Sequence, residues 1–134
     1  MTKRAEDFLP LSQATYYILL ALREVRHGYA IMQDVEEISQ GDVTMGPGTL
    51  YGALGKLEKQ RMISNATIDQ KDRRKYYRLT TLGKELLQIE YRRLESIVKK
   101  NKNIILDLEG KKDNHYNDKS ESALQGRERG TIGK

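Results

Sequence analysis

Over residues 12–25 the chain has no helix breaker, and apolar side chains fall on nearly every side of a helical wheel: Ala14, Tyr16, Tyr17, Ile18, Leu19, Leu20, Ala21, Leu22 and Val25. A helix of this kind needs cover over most of its surface, and Ser12 suits its N-cap. His27-Gly28 breaks it. A second pattern then puts Tyr29, Ile31, Met32, Val35 and Ile38 on one face and Asp34, Glu36 and Glu37 away from it, which predicts an amphipathic helix ended by Gly41. Val43-Thr44-Met45 leads to Gly46-Pro47, where proline fits the first turn of a third helix. Over residues 47 to about 60, Leu50, Leu54 and Leu57 mark the buried stripe, with Ala53 beside it.

Residues 63–68 and 75–79 read as two short strands joined by the polar loop Asp69-Gln70-Lys71-Asp72-Arg73-Arg74, a hairpin. Three helices followed by a basic hairpin is the order of a winged helix-turn-helix, in which the third helix enters the major groove of DNA and the hairpin reaches the backbone. A long helix follows from Thr81, on which Leu87, Tyr91, Leu94, Val98, Asn101, Ile105 and Leu108 alternate at spacings of four and three. This is a heptad seam. The three-helix core is already served by its own stripes, so a second copy of the chain is the expected cover. Asn101 on the seam either fixes register or marks a place where the seam opens to water. From Gly110 to Lys134 only Tyr116, Ala123, Leu124 and Ile132 are apolar, which predicts a disordered tail. The fold class expected is mainly α with a small β-hairpin: a winged helix-turn-helix over residues 9–80, a dimerisation helix over 81–109 and a polar tail over 110–134.

Charge sharpens this picture. The 134 residues suit one core, and the formal net charge is +5. Residues 1–53 carry 4 basic and 7 acidic side chains, residues 54–80 carry 8 and 3, and residues 81–134 carry 12 and 9, so the hairpin region is the positive pole. Its densest part is Lys71, Arg73, Arg74, Lys75 and Arg78. A solvated loop is the ordinary reading of such a run. Placed on a hairpin behind three helices, it fits double-stranded DNA.

The glycines carry the next argument. Gly46-Pro-Gly48-Thr-Leu-Tyr-Gly52 misses the spacing of a dinucleotide loop, and no Gly-Lys-Ser/Thr follows. With Leu50 facing the core, Gly48, Gly52 and Gly55 point the opposite way together with Lys59, flanked by Thr49, Tyr51 and Lys56. Each glycine inside a helix costs about 1 kcal/mol relative to alanine. Three on one face imply close approach by a partner, DNA foremost and a second helix as the alternative.

Catalytic chemistry has little to build on. His27 and His115 lie in a turn and in the tail, Glu36-Glu37 cannot face each other on a helix, and there is no cysteine, so no enzyme site, metal or cofactor is expected. Asn65-Ala66-Thr67 is a chance glycosylation match. No signal peptide or membrane span is evident, which reads as a cytoplasmic protein without membrane attachment.

Four segments in order then identify a resemblance. Tyr17-Ile18-Leu19-Leu20-Ala21-Leu22, His27-Gly28-Tyr29-Ala30-Ile31, Gly48-Thr49-Leu50-Tyr51-Gly52-Ala53-Leu54 through Leu57-Glu58, and Arg74-Lys75-Tyr76-Tyr77-Arg78-Leu79-Thr80 with Gly83 together resemble the PadR family of bacterial transcription regulators over roughly residues 9–108. The resemblance implies a homodimer that represses a nearby promoter until a small aromatic or drug-like effector binds. It puts Gly48, Thr49, Tyr51 and Lys56 on the recognition helix and Lys71, Arg73, Arg74 and Lys75 on the wing. One of Tyr76 and Tyr77 should be core. Arg61 stands where the family usually has glycine at the end of the third helix, so the helix is expected to end differently.

Two further expectations concern surfaces. Gln13, Tyr16, Tyr17, Tyr91, Leu94 and Val98 could line a cavity for a planar effector across the dimer, with plain dimer packing as the alternative. A competing function is an interaction module that uses the long helix and basic hairpin without sequence-specific DNA binding.

Overall fold

A computed structural model describes residues 4–110 of the chain, so the expected tail lies outside the described residues except for Gly110. The elements are a 3-10 turn Ala5–Phe8, then α1 (Gln13–Ala21), β1 (Arg26–His27), α2 (Gly28–Ile38), α3 (Pro47–Lys59), β2 (Ile63–Asn65), β3 (Tyr76–Leu79) and α4 (Thr81–Leu108). The chain forms two compact units that divide within α4, between Arg92 and Arg93. The first holds three helices, a small sheet and the opening turns of α4. Its core joins Ile18, Leu19 and Leu22 to Ile31 and Val35, to the α3 stripe Leu50, Leu54 and Leu57, and to Met62, Ile63, Tyr77, Leu79 and Leu86.

Ser12 caps α1 as expected, its hydroxyl accepting from the Thr15 amide at 3.1 Å. The helix stops at Ala21, four residues short of Val25, which is exposed. The cause is a third strand. Arg26 and His27 pair antiparallel with Tyr77 and Tyr76, which gives a sheet of order β1-β3-β2 in place of a simple hairpin. Arg26 Nε then donates to the Ala21 carbonyl at 2.7 Å, occupying an acceptor that the next helical turn would have used. The hairpin strands are also shorter than expected, and Ile68, the last residue of the expected first strand, is almost fully exposed in the loop.

Asp34 is a correction. It was expected on the solvent side of α2, yet it is buried, bound to Arg23 at 2.8 Å and to Arg26 at 3.7 Å. The hydrogen bond from Arg23 satisfies a carboxylate lying between α1 and α2, and the Arg23 guanidinium is pushed up in turn by that bond.

Helix ends explain two irregular residues. At the end of α2, Gln40 (φ 53°) precedes Gly41 (φ 86°), so glutamine, and not only the expected glycine, takes the left-handed conformation. At the end of α3, Arg61 takes it as well, with φ 64°. The Met62 amide donates to Leu57 and the Arg61 amide to Glu58, both at 3.0 Å, the paired pattern of a Schellman cap. The α3 end therefore keeps the geometry that glycine would give. Thr80 secures it from the far side: its amide donates to the Met62 carbonyl at 3.0 Å and its hydroxyl to the Arg61 carbonyl at 2.6 Å. The start of α4 passes so close to this corner that a Cβ on Gly83 would overlap the Met62 carbonyl.

Candidate nucleic-acid interface

Burial of Leu50, Leu54 and Leu57 fixes the rotation of α3, and the opposite face is open. Gly48, Gly52 and Gly55 are exposed, and a Cβ added at any of them would meet nothing within 4 Å. Among the described residues no other helix closes on this glycine face. Thr49, Lys56 and Lys59 are exposed beside it. Neither lysine has an ion-pair partner among the described residues.

Tyr51 has a mixed position. It is 49% exposed, yet its ring occupies the space where a Cβ on Gly28 would stand. Glycine at the start of α2 thus lets the phenol of α3 close over it.

The wing is the connection between β2 and β3. Asp69 accepts from the Lys71 amide at 2.9 Å and Asp72 from the Arg74 amide at 2.9 Å, so both carboxylates are turned onto backbone N–H groups. Lys71 and Arg73 are exposed and unpaired among the described residues. Arg74 is not: Nε and Nη2 each reach Asp72 at 3.0 Å, and its guanidinium lies 5.6 Å from the centre of the Tyr76 ring. Lys75 bonds Glu58 of α3 at 3.4 Å and lies 5.5 Å from the centre of the Tyr77 ring. Of the two wing tyrosines Tyr77 is core, at 4% exposure, and burial pushes its phenol up. The hydrogen bonds from Arg74, aided by that from the Tyr76 hydroxyl, hold Asp72 well below the usual carboxylate range.

The residues expected to form the dimer seam divide. Leu87 packs partly buried against the core of its own domain. Tyr91, Leu94, Val98, Ile105 and Leu108 are exposed, and so are Ile97 and Ile104, which widen the stripe. Sequence spacing alone passed over that pair because they fall one position before Val98 and Ile105. Asn101 turns its amide onto the Ile97 carbonyl at 2.6 Å, one turn back on the same helix. Sequence reasoning also missed Leu86 and Glu90, both fully buried, with Glu90 Oε2 accepting from the Leu11 amide at 3.1 Å.

Of the residues expected around an effector, Gln13 is exposed while Tyr16 and Tyr17 are half-buried with their rings edge to face at 6.0 Å. The Tyr16 phenol is pushed up by burial first, then by Tyr91, Tyr17 and Glu90. Leu94 and Val98 lie on the second unit.

Comparison with known proteins converges on one family. Residues 6–89 match the model of the transcriptional regulator PadR-like family. A 37.1 kDa protein of transposon TN4556 from Streptomyces fradiae is 38% identical over 80 residues, 59% of this chain and 22% of its own length. The transcriptional regulator YqjI of Escherichia coli is 29% identical over 75 residues, 56% of this chain and 35% of its own. The chain thus spans well under half the length of either relative. Among solved structures, a PadR-like transcription factor from Bacteroides fragilis superposes with a TM-score of 0.58 at 26% identity, over 68% of this chain and 88% of that one. With three helices, the wing and the opening turns of α4 in the order of a winged helix, and the family match running over residues 6–89, the chain belongs to the PadR-like family of transcriptional regulators.

Proposed function

We propose that the protein binds double-stranded DNA as a homodimer and represses transcription, with α3 in the major groove and the β2–β3 wing on the phosphate backbone. The observation that carries this reading is the open face of α3. Three glycines without a covering group let the helix backbone approach base edges, and Lys56, Lys59 and Thr49 border them with free donors. Lys71 and Arg73 on the wing add cations for phosphates. The exposed stripe of α4, with Leu94, Ile97, Val98, Ile104, Ile105 and Leu108, supports pairing with a second copy, since a stripe this apolar favours burial against a like surface. A small planar aromatic effector is the regulator that fits the Tyr16, Tyr17 and Tyr91 group, provided it binds the DNA-free state more tightly than the DNA-bound one.

The test is a footprint on DNA upstream of the coding region, followed by competition against a scrambled duplex at one stated salt concentration. The reading expects a protected twofold site and a specificity ratio of about 10³ or more. Equal affinity for both duplexes would instead favour an interaction module that holds anionic surfaces unselectively.

A further inference from the structure

The cations of the wing are of two kinds. Lys71 and Arg73 project from a loop that has turned its own carboxylates inward, whereas Arg74 is enclosed in contacts. The Asp72 carboxylate takes the Arg74 amide at 2.9 Å, Arg74 Nε and Nη2 at 3.0 Å each, and the Tyr76 hydroxyl at 3.0 Å. The Arg74 guanidinium lies over Tyr76, and Tyr76 meets His27 edge to face with ring centres 5.4 Å apart and planes at 86°. His27 is the cross-strand partner of Tyr76 and also the N-cap of α2, with Nδ1 accepting from the Ala30 amide at 3.3 Å. Arg74 Nη1 lies 3.4 Å from His27 Nε2, which closes the chain of contacts. A run of side chains thus leads from the wing turn to the first turn of α2.

We propose that Arg74 is a positioning residue: with Asp72, Tyr76 and His27 it clasps the wing to the N-terminus of α2, so that Lys71 and Arg73 meet DNA on a loop ordered beforehand. The inference rests on the DNA-binding reading above. Two physical arguments support it. The Asp72–Arg74 pair carries no net charge, so it adds little to the attraction for phosphates, while its bidentate geometry restrains the loop strongly. β2 spans only three residues, and beyond it the Ala66 amide on the Tyr76 carbonyl at 2.8 Å and the Tyr76 amide on the Thr67 hydroxyl at 2.9 Å extend the ladder no further than Thr67, so residues 68–75 depend on other contacts, and ordering a free loop on binding would subtract from affinity. His27, read from sequence as part of a helix-breaking turn, becomes the anchor of the wing.

The decisive feature is a sign. If Arg74 touched phosphate directly, removing the Asp72 charge would strengthen DNA binding, whereas the clasp requires that it weaken it. In the full chain, Asp72→Ala, Arg74→Ala and the double variant should each bind random-sequence duplex about tenfold more weakly, the double no worse than either single. The slope of log affinity against log salt should stay that of the parent, while Arg73→Ala reduces it by about 0.9. Arg74→Lys should not restore affinity, because an ammonium cannot make the bidentate bond. Amide exchange over residues 66–76 of the free protein should accelerate in the clasp variants while the thermal midpoint holds. Tighter binding by Asp72→Ala, or a slope lowered by about 0.9 in Arg74→Ala, overturns the proposal. Should the parent chain bind no duplex, the DNA reading falls and exchange in the free protein decides the clasp, with unchanged wing protection refuting it.

Discussion

The two parts of α4 carry similar apolar periodicity and treat it in opposite ways. In its opening turns the helix buries Gly83, Leu86 and Glu90 and rests Leu87 against the winged core. From residue 93 onward Leu94, Ile97, Val98, Ile104, Ile105 and Leu108 stay exposed. Spacing of four and three therefore identifies an apolar stripe without saying what covers it. In the first part the cover is the domain's own core, reached by a face one position away from the seam, through Leu86 in place of Leu87. In the second part the described chain supplies no cover, and a second copy is the proposed one.

Charging the second stripe gives the largest expected effect. Leu94→Lys or Val98→Asp, each by itself, should leave a folded monomer, visible by sedimentation, with operator affinity lowered by at least about 100-fold through loss of bivalent binding. A dimer that survives either charge would erase the distinction between the two parts.

The next contrast is within the helix itself. Leu86→Ala should lower unfolding free energy by about 2–5 kcal/mol, the range for a fully buried leucine, whereas Ile105→Ala should change the stability of the monomeric form by no more than about 0.5 kcal/mol. Equal costs in chemical denaturation would mean that the two stripes are buried alike. Glu90→Ala leaves the Leu11 amide without its carboxylate acceptor and should cost about 1–3 kcal/mol, measurable by the same method. The smallest change lies at the corner under Gly83. Arg61→Gly should raise stability by about 1 kcal/mol, read as a higher thermal midpoint, because glycine occupies φ 64° without the steric penalty of a Cβ.

Much of the fold was legible because its signals are local. The stripes of α2 and α3, the proline at the start of α3 and the order of three helices and a hairpin follow from neighbouring residues. What escaped depends on contacts far apart in sequence. β1 has two residues, too few for any alternation, and exists because Tyr76 and Tyr77 return beside Arg26 and His27. Asp34 and Glu90 look like solvent-facing acids until Arg23 and the Leu11 amide are brought to them. The site shows the same division. The glycine face of α3 was readable from the wheel, since it depends only on Leu50 being inside. The difference between Arg73 and Arg74 was not, because it turns on which guanidinium Asp72 and Tyr76 hold. The Arg61 substitution suggested an altered helix end, but the Thr80 bonds and the Met62 contact with the core keep the left-handed cap.

The central claim is that the open face of α3 reads DNA, and Gly52→Leu tests it most directly. A Cβ at Gly52 meets nothing within 4 Å, so the variant should fold with an unchanged circular dichroism spectrum and keep the oligomeric state of the parent. Its affinity for the footprinted operator should fall to that for scrambled duplex, a loss of about 10³-fold or more in the specificity ratio, while nonspecific binding through Lys71 and Arg73 persists. A folded Gly52→Leu protein that still prefers its operator by the parent's ratio would remove α3 from the interface and contradict the account.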